Sequence, residues 1–146
     1  MKPLPLLAQL RDIRRQQSIS QRTLAPRIGV EQGRLSGYET GRMQPSIRVV
    51  DTWARTLGHR LVITRHGRVI GDLATLLPSI PDQRIRLGYS QAQLGIRVRV
   101  SRSWIGRLDS RIRAGCDVRL ATIQPYLDVL GYDLQLVPAR SEERAA

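Results

Sequence analysis

Two short clusters of polar side chains stand seventy residues apart in this sequence: Gln32, Arg34 and Ser36, then Arg102, Ser103 and Arg107. An arginine fork presents paired N–H donors that fit a guanine edge, and a glutamine amide sets a donor beside an acceptor as adenine does. Each such bidentate pair discriminates among bases by about 1–3 kcal/mol. Arg22, Arg42, Arg97, Arg111 and Arg113 carry the same donor chemistry at places suited to phosphate, where a contact positions a protein without reading sequence.

The wider composition agrees with that chemistry. Of 24 basic residues 23 are arginine, and with 12 acidic residues the formal net charge is +12. Residues 1–73 hold 13 basic and 5 acidic side chains, residues 74–146 hold 11 and 7, so the charge is spread over both halves. Solubility alone requires no such arginine excess, and nucleic acid is the leading partner class. Catalysis and cofactor chemistry find little support. Cys116 is the single cysteine, and His59 and His66 are too isolated to suggest a metal site. Asp109, Asp117 and Asp128 form no recognisable acid–base pair, and no glycine-rich phosphate loop follows a strand. No apolar run reaches 18 residues, and Met1-Lys2-Pro3 leads into a charged pattern, so the expectation is a cytoplasmic, nucleoid-associated protein without enzymatic activity, cofactor, metal or membrane partner.

Elements that position these side chains follow from an internal repeat. At an offset of 70, Ser20-Gln21-Arg22-Thr23-Leu24-Ala25 aligns with Ser90-Gln91-Ala92-Gln93-Leu94-Gly95. Leu24, Ile28, Val30, Leu35 and Tyr38 then coincide with Leu94, Val98, Val100, Ile105 and Leu108. Further on the offset is 73, so that Ile47, Val50, Trp53, Leu57 and Gly58 meet Leu120, Ile123, Tyr126, Leu130 and Gly131. The three added residues are expected in the loop after Asp109, where closure entropy grows slowly with length.

Leu6, Leu7, Leu10 and Ile13 predict a helix over 4–17. Ser20 predicts a helix start, and Ser90 with Gln93 a capping box. Further helices are expected over about 31–39 and from Ser46 to Leu57, ended by Gly58 as Gly131 ends the later one. Pro78 and Pro81 predict a short turn over 73–77 and then a helix from near Pro81. Arg60–Thr64 and Arg68–Ile70 flank His66-Gly67 as a hairpin, and Tyr132–Val137 alternates as a third strand of one small sheet. Trp53 and Tyr126 are expected in the core, Trp104 at the junction of the halves or against a thymine methyl.

Leu10-Arg11-x-x-Arg14, Ser20-Gln21-x-x-Leu24-Ala25, Ile28-Gly29-Val30, Leu35, Glu39-x-Gly41-Arg42 and Pro45-Ser46 together resemble the phage repressor and Cro (Xre) helix-turn-helix family over residues 6–58. A looser resemblance covers 80–131, where Arg99 replaces the turn glycine and no Gly-Arg-x-x-Pro-Ser signature remains. The resemblance implies a mainly α fold, two lambda-repressor-like helix-turn-helix units joined by a small β-sheet, divided as 1–66, 67–79, 80–138 and a flexible tail, 139–146. It also implies phosphate contact from Gln21 and Gln91, operator DNA as partner, and a transcriptional regulator, most simply a repressor. Two different recognition helices in one chain favour a monomer on an asymmetric site. The alternatives are a homodimer, or an antitoxin bound to a toxin protein, using one helix-turn-helix and strand 132–137 for assembly. Gly33 and Gly37 each cost a recognition helix about 1 kcal/mol relative to alanine, and clearance for DNA is the expected reason.

Overall fold

A computed structural model of the chain describes residues 4–139, so all but the first residue of the expected tail lies outside the described residues. Four helices come first: α1 (Pro5–Gln16), α2 (Gln21–Arg27), α3 (Gln32–Thr40) and α4 (Ile47–Thr56). Pro5 sits in the first turn of α1, where its missing N–H is no loss. Ser20 accepts a bond from Thr23 N–H and Ser46 one from Val49 N–H, each satisfying a donor of the first turn. Gly41 and Gly58 follow α3 and α4 at φ +81° and +80°.

A hairpin of β1 (His59–Arg65) and β2 (Arg68–Asp72) follows. His66 and Gly67 both take positive φ at its tip, as a two-residue turn matched to strand twist requires. The short α5 (Leu73–Leu76) and a 3-10 turn at Leu77–Ser79 lead to α6 (Ile80–Arg86), which begins one residue before Pro81. Then come α7 (Gln91–Val98), α8 (Arg102–Arg113), α9 (Leu120–Val129) and β3 (Asp133–Pro138). Both halves of the Ser90–Gln93 capping box form.

One expectation is corrected here. The three residues added after Asp109 lengthen a helix and not a loop: α8 has 12 residues where α3 has 9. Gly41 stops α3 in the left-handed region, whereas its counterpart is Arg111, and no glycine occurs until Gly115. The extra turn buries Ile112.

In the sheet the strand order is β2-β1-β3, with β3 antiparallel to β1 from His59 opposite Pro138 to Thr64 opposite Asp133. Leu7, Leu10, Leu24, Leu35 and Trp53 share one continuous apolar cluster with Leu61 and Ile63 of β1 and with Leu94, Ile105, Ile123 and Tyr126. Each helical layer thus closes on the same core. No described helix is long and apolar enough to cross a membrane.

Arg99 ends α7 at φ +63°, the place that Gly29 fills at φ +76° after α2. An L-residue there costs about 1–2 kcal/mol, and glycine returns part of that as lost chain entropy. Arg99→Gly is therefore expected to raise the unfolding free energy by up to about 1 kcal/mol, read as a higher urea midpoint. An unchanged or lower midpoint contradicts it.

Candidate nucleic-acid interface

Each of α3 and α8 is held by a buried ion pair. Arg14 of α1 donates from both Nε and Nη2 to the carboxylate of Glu39 on α3, each at 2.8 Å, and from Nη1 to the Ile19 carbonyl at 2.8 Å. Seventy residues later, Arg84 of α6 donates to Asp109 of α8 at 3.1 Å and to the Tyr89 carbonyl. Glu39 and Asp109 are 2% and 1% exposed, so both carboxylates depend on these partners for their solvation.

The one-methylene difference between them has consequences. Glu39 reaches far enough to meet the guanidinium with both oxygens. Asp109 meets it with one, which leaves Arg84 Nε without a partner among the described residues. Its second oxygen accepts from Tyr126 O–H at 2.7 Å. Burial, then the adjoining carboxylate, pushes that phenol well above its ordinary range, so Tyr126 stays a donor at neutral pH. Trp53 occupies the corresponding place under α3, its indole N–H unpartnered among the described residues. Arg14 and Glu39 stand in the motif quoted above, but the sequence reading paired neither them nor Arg84 with Asp109, although a common offset of 70 links the two pairs.

The turn between each pair of helices depends on small residues. A Cβ at Gly95 would lie 2.7 Å from the Val100 carbonyl oxygen, a backbone atom that cannot move aside. In the first corner Ala25 is accommodated, 1% exposed. Both corners therefore bring their helices close enough for Leu35 and Ile105 to be fully buried, which turns the opposite faces of α3 and α8 outward.

Gln32 and Arg34 are exposed on the first turn of α3, with Ser36 half-buried behind them. Arg102, Ser103 and Arg107 are all exposed on α8, and Ser103 and Arg107 share a face at i,i+4 spacing. Arg22, Arg42 and Arg97 are exposed as well. Trp104 is half-buried against the core rather than displayed.

Four expected phosphate contacts have partners inside the chain. Gln21 donates to Glu39 at 2.9 Å and Gln91 to Asp109 at 3.3 Å, which spends one amide N–H of each in buttressing the ion pair. Arg111 donates to the Asp117 carbonyl at 3.2 Å, and Arg113 pairs with Asp82 at 3.3 Å. Gly37 also departs from expectation. A Cβ there would stand 2.8 Å from Met43 Cγ and Sδ, so the space it leaves is filled from within the chain.

Gly33 keeps open surroundings, with nothing within 4 Å of an added Cβ. Gly33→Ala is expected to raise stability by up to about 1 kcal/mol through helix propensity. If clearance against DNA is the reason for glycine, affinity should fall in the same variant. A melting curve and a binding isotherm together decide it; unchanged affinity removes that reason.

A cavity of about 510 Å³ lies beside α8, lined by Trp104, Arg107 and Arg111 together with Ser46, Asp117 and Arg119. The loop before α9 thus reaches the start of α4, where Asp117 Oδ1 accepts from Arg48 N–H at 3.1 Å. Cys116 is exposed in that loop.

Residues 10–61 match the family model described as helix-turn-helix, which takes in α2, the turn at Gly29 and α3. No curated protein and no solved structure matches the chain.

Proposed function

From a helix-turn-helix match over residues 10–61, we infer that this chain is a sequence-specific, double-stranded DNA-binding transcription regulator that places α3 and α8 in two neighbouring major-groove segments. Repression by occupying an operator is its simplest mode of action. The observation that carries the reading is the recurrence of one supporting device, a buried arginine–carboxylate pair braced by a glutamine, under two outward helices that bear different donors. Gln32 and Arg34 on one helix, and Arg102, Ser103 and Arg107 on the other, are the side chains assigned to bases. Arg22, Arg42 and Arg97 are assigned to phosphate.

Different donors on the two helices imply unlike half-sites. Measuring specific and nonspecific affinity for Arg34→Ala and Arg102→Ala separately tests this. Each is expected to lose about 1–3 kcal/mol of specific binding, with relaxed preference confined to its own half-site and little change on random duplex. Loss from only one variant would leave a single reading head.

The antitoxin and strand-mediated homodimer readings draw less support. Strand β3, their proposed assembly element, spends one edge on β1 over six residue positions of the same chain, which leaves only its outer edge for a partner. Toxin neutralisation that survives loss of DNA binding would restore the former.

A further inference from the structure

Two backbone pairings carry more than repetition. Past α3 and α8, corresponding residues lie 73 apart, so Ser46 corresponds to Arg119. These two residues pair with each other, as an antiparallel bridge. The bonds flanking the bridge exchange under the same correspondence: Ile47 N–H donates to the Val118 carbonyl at 2.8 Å, and Leu120 N–H to the Pro45 carbonyl at 3.0 Å. Leu120 is the counterpart of Ile47, and Val118 of Pro45.

The sheet repeats the relation. Val62 pairs with Gln135, again its own counterpart, while Leu61 pairs with Leu136 and Ile63 with Leu134. An offset of 73 turns Leu61 into Leu134 and Ile63 into Leu136, so the register maps onto itself. An antiparallel pair centred on corresponding residues has a local two-fold axis, and contacts in which i meets j while j meets i are the mark of an isologous interface. One of these pairs stands at the heads of α4 and α9, the other in the strands that follow them.

The segment without a counterpart makes this closure possible. Strand β2 takes the outer edge of β1, and α5 with the 3-10 turn leads on to α6, which leaves the inner edge of β1 for β3. The first bridge also adjoins a reading helix, since Ser46 and Arg119 line the same cavity as Arg107.

We infer that the chain is a covalently closed pseudo-dimer that binds, as a monomer, a DNA site whose two unlike half-sites run in inverted orientation rather than as a direct repeat. This rests on the DNA-reading assignment above. A head-to-tail arrangement of the two units would set their reading helices in the same sense along the duplex; a two-fold sets them in opposite senses.

Making the two heads alike reveals the orientation. Arg102→Gln, Ser103→Gly, Trp104→Arg, Gly106→Ser and Arg107→Gly together give α8 the residues that α3 carries at the corresponding positions, Arg34 among them, and the variant is used to select sites from random duplexes. The expected product is an inverted repeat occupied by one chain, bound at least about tenfold tighter than a direct repeat of the same half-site. A direct repeat, or two chains on each inverted repeat, overturns the inference. The unaltered chain provides a second measurement that needs no refolded variant. An iron chelate attached to Cys116, three residues before Arg119, should cut DNA between the two half-sites; cutting at an outer flank overturns the inference. Selection of no site by the unaltered chain would instead overturn the DNA-reading assignment itself.

Discussion

Arg14→Ala should lower the unfolding free energy by about 3–5 kcal/mol, the usual cost of leaving one member of a buried ion pair without its partner. Glu39 would remain, 2% exposed, with Gln21 as its hydrogen-bond donor, and the Ile19 carbonyl would lose the bond it accepts from Arg14. A drop of that size is a large part of the total stability of a small domain. The double replacement Arg14→Met with Glu39→Leu should recover much of it, because two apolar side chains need no compensation in the core. Arg84→Ala should cost less than Arg14→Ala, since Asp109 retains Tyr126 and Gln91 as donors. Urea unfolding followed by circular dichroism checks all three, and a loss below about 1 kcal/mol for Arg14→Ala would show that the pair is not the support described.

The same ion pairs show where reading from sequence succeeds and where it stops. Helix starts at Ser20, Ser46 and Ser90, the left-handed turn at Gly29 and the hairpin at His66-Gly67 were all legible, because each depends on a few adjacent residues. The partnership of Arg14 with Glu39 spans 25 residues, and an exposed and a buried arginine look alike in sequence. A mainly helical fold with a three-stranded sheet was likewise readable from periodicity. The extra turn of α8 was missed, although Arg111 in the place of the helix-stopping Gly41 marked the helix as running on. Gly37 was misread for a related reason: it accommodates Met43, six residues away across a turn, and glycine alone does not reveal which neighbour needs the space. Among the proposed site residues, Gln32, Arg34 and Arg102 lie exposed in the first turns of α3 and α8, beside the buried Leu35 and Ile105. Gln21, Gln91, Arg111 and Arg113 have donors that serve either DNA or the protein, and only the fold revealed their internal partners.

The strand pairing bears most strongly on how DNA would be held. Inserting about five base pairs between the half-sites turns one of them to the opposite face of the duplex, half a turn away. One head then loses its site, and with it the gain from a tethered second contact, so affinity should fall by about 10²–10⁴-fold. Two heads on a flexible linker would recover when the insertion is lengthened to about ten base pairs, which restores the face and adds about 34 Å of separation. This chain should not recover. Its halves are joined by the bridge at Ser46 and Arg119, by six paired positions between β1 and β3, and by one apolar core that contains residues from both. Opening by 34 Å would require breaking all three, and the loss would offset what the second head gains. Gel-shift titration of the parent site and of the five- and ten-base-pair insertions therefore separates rigid from flexible linkage. Weak binding to both insertions is the expected result, and recovery of the ten-base-pair site to within a few-fold of the parent would show that the two heads move independently.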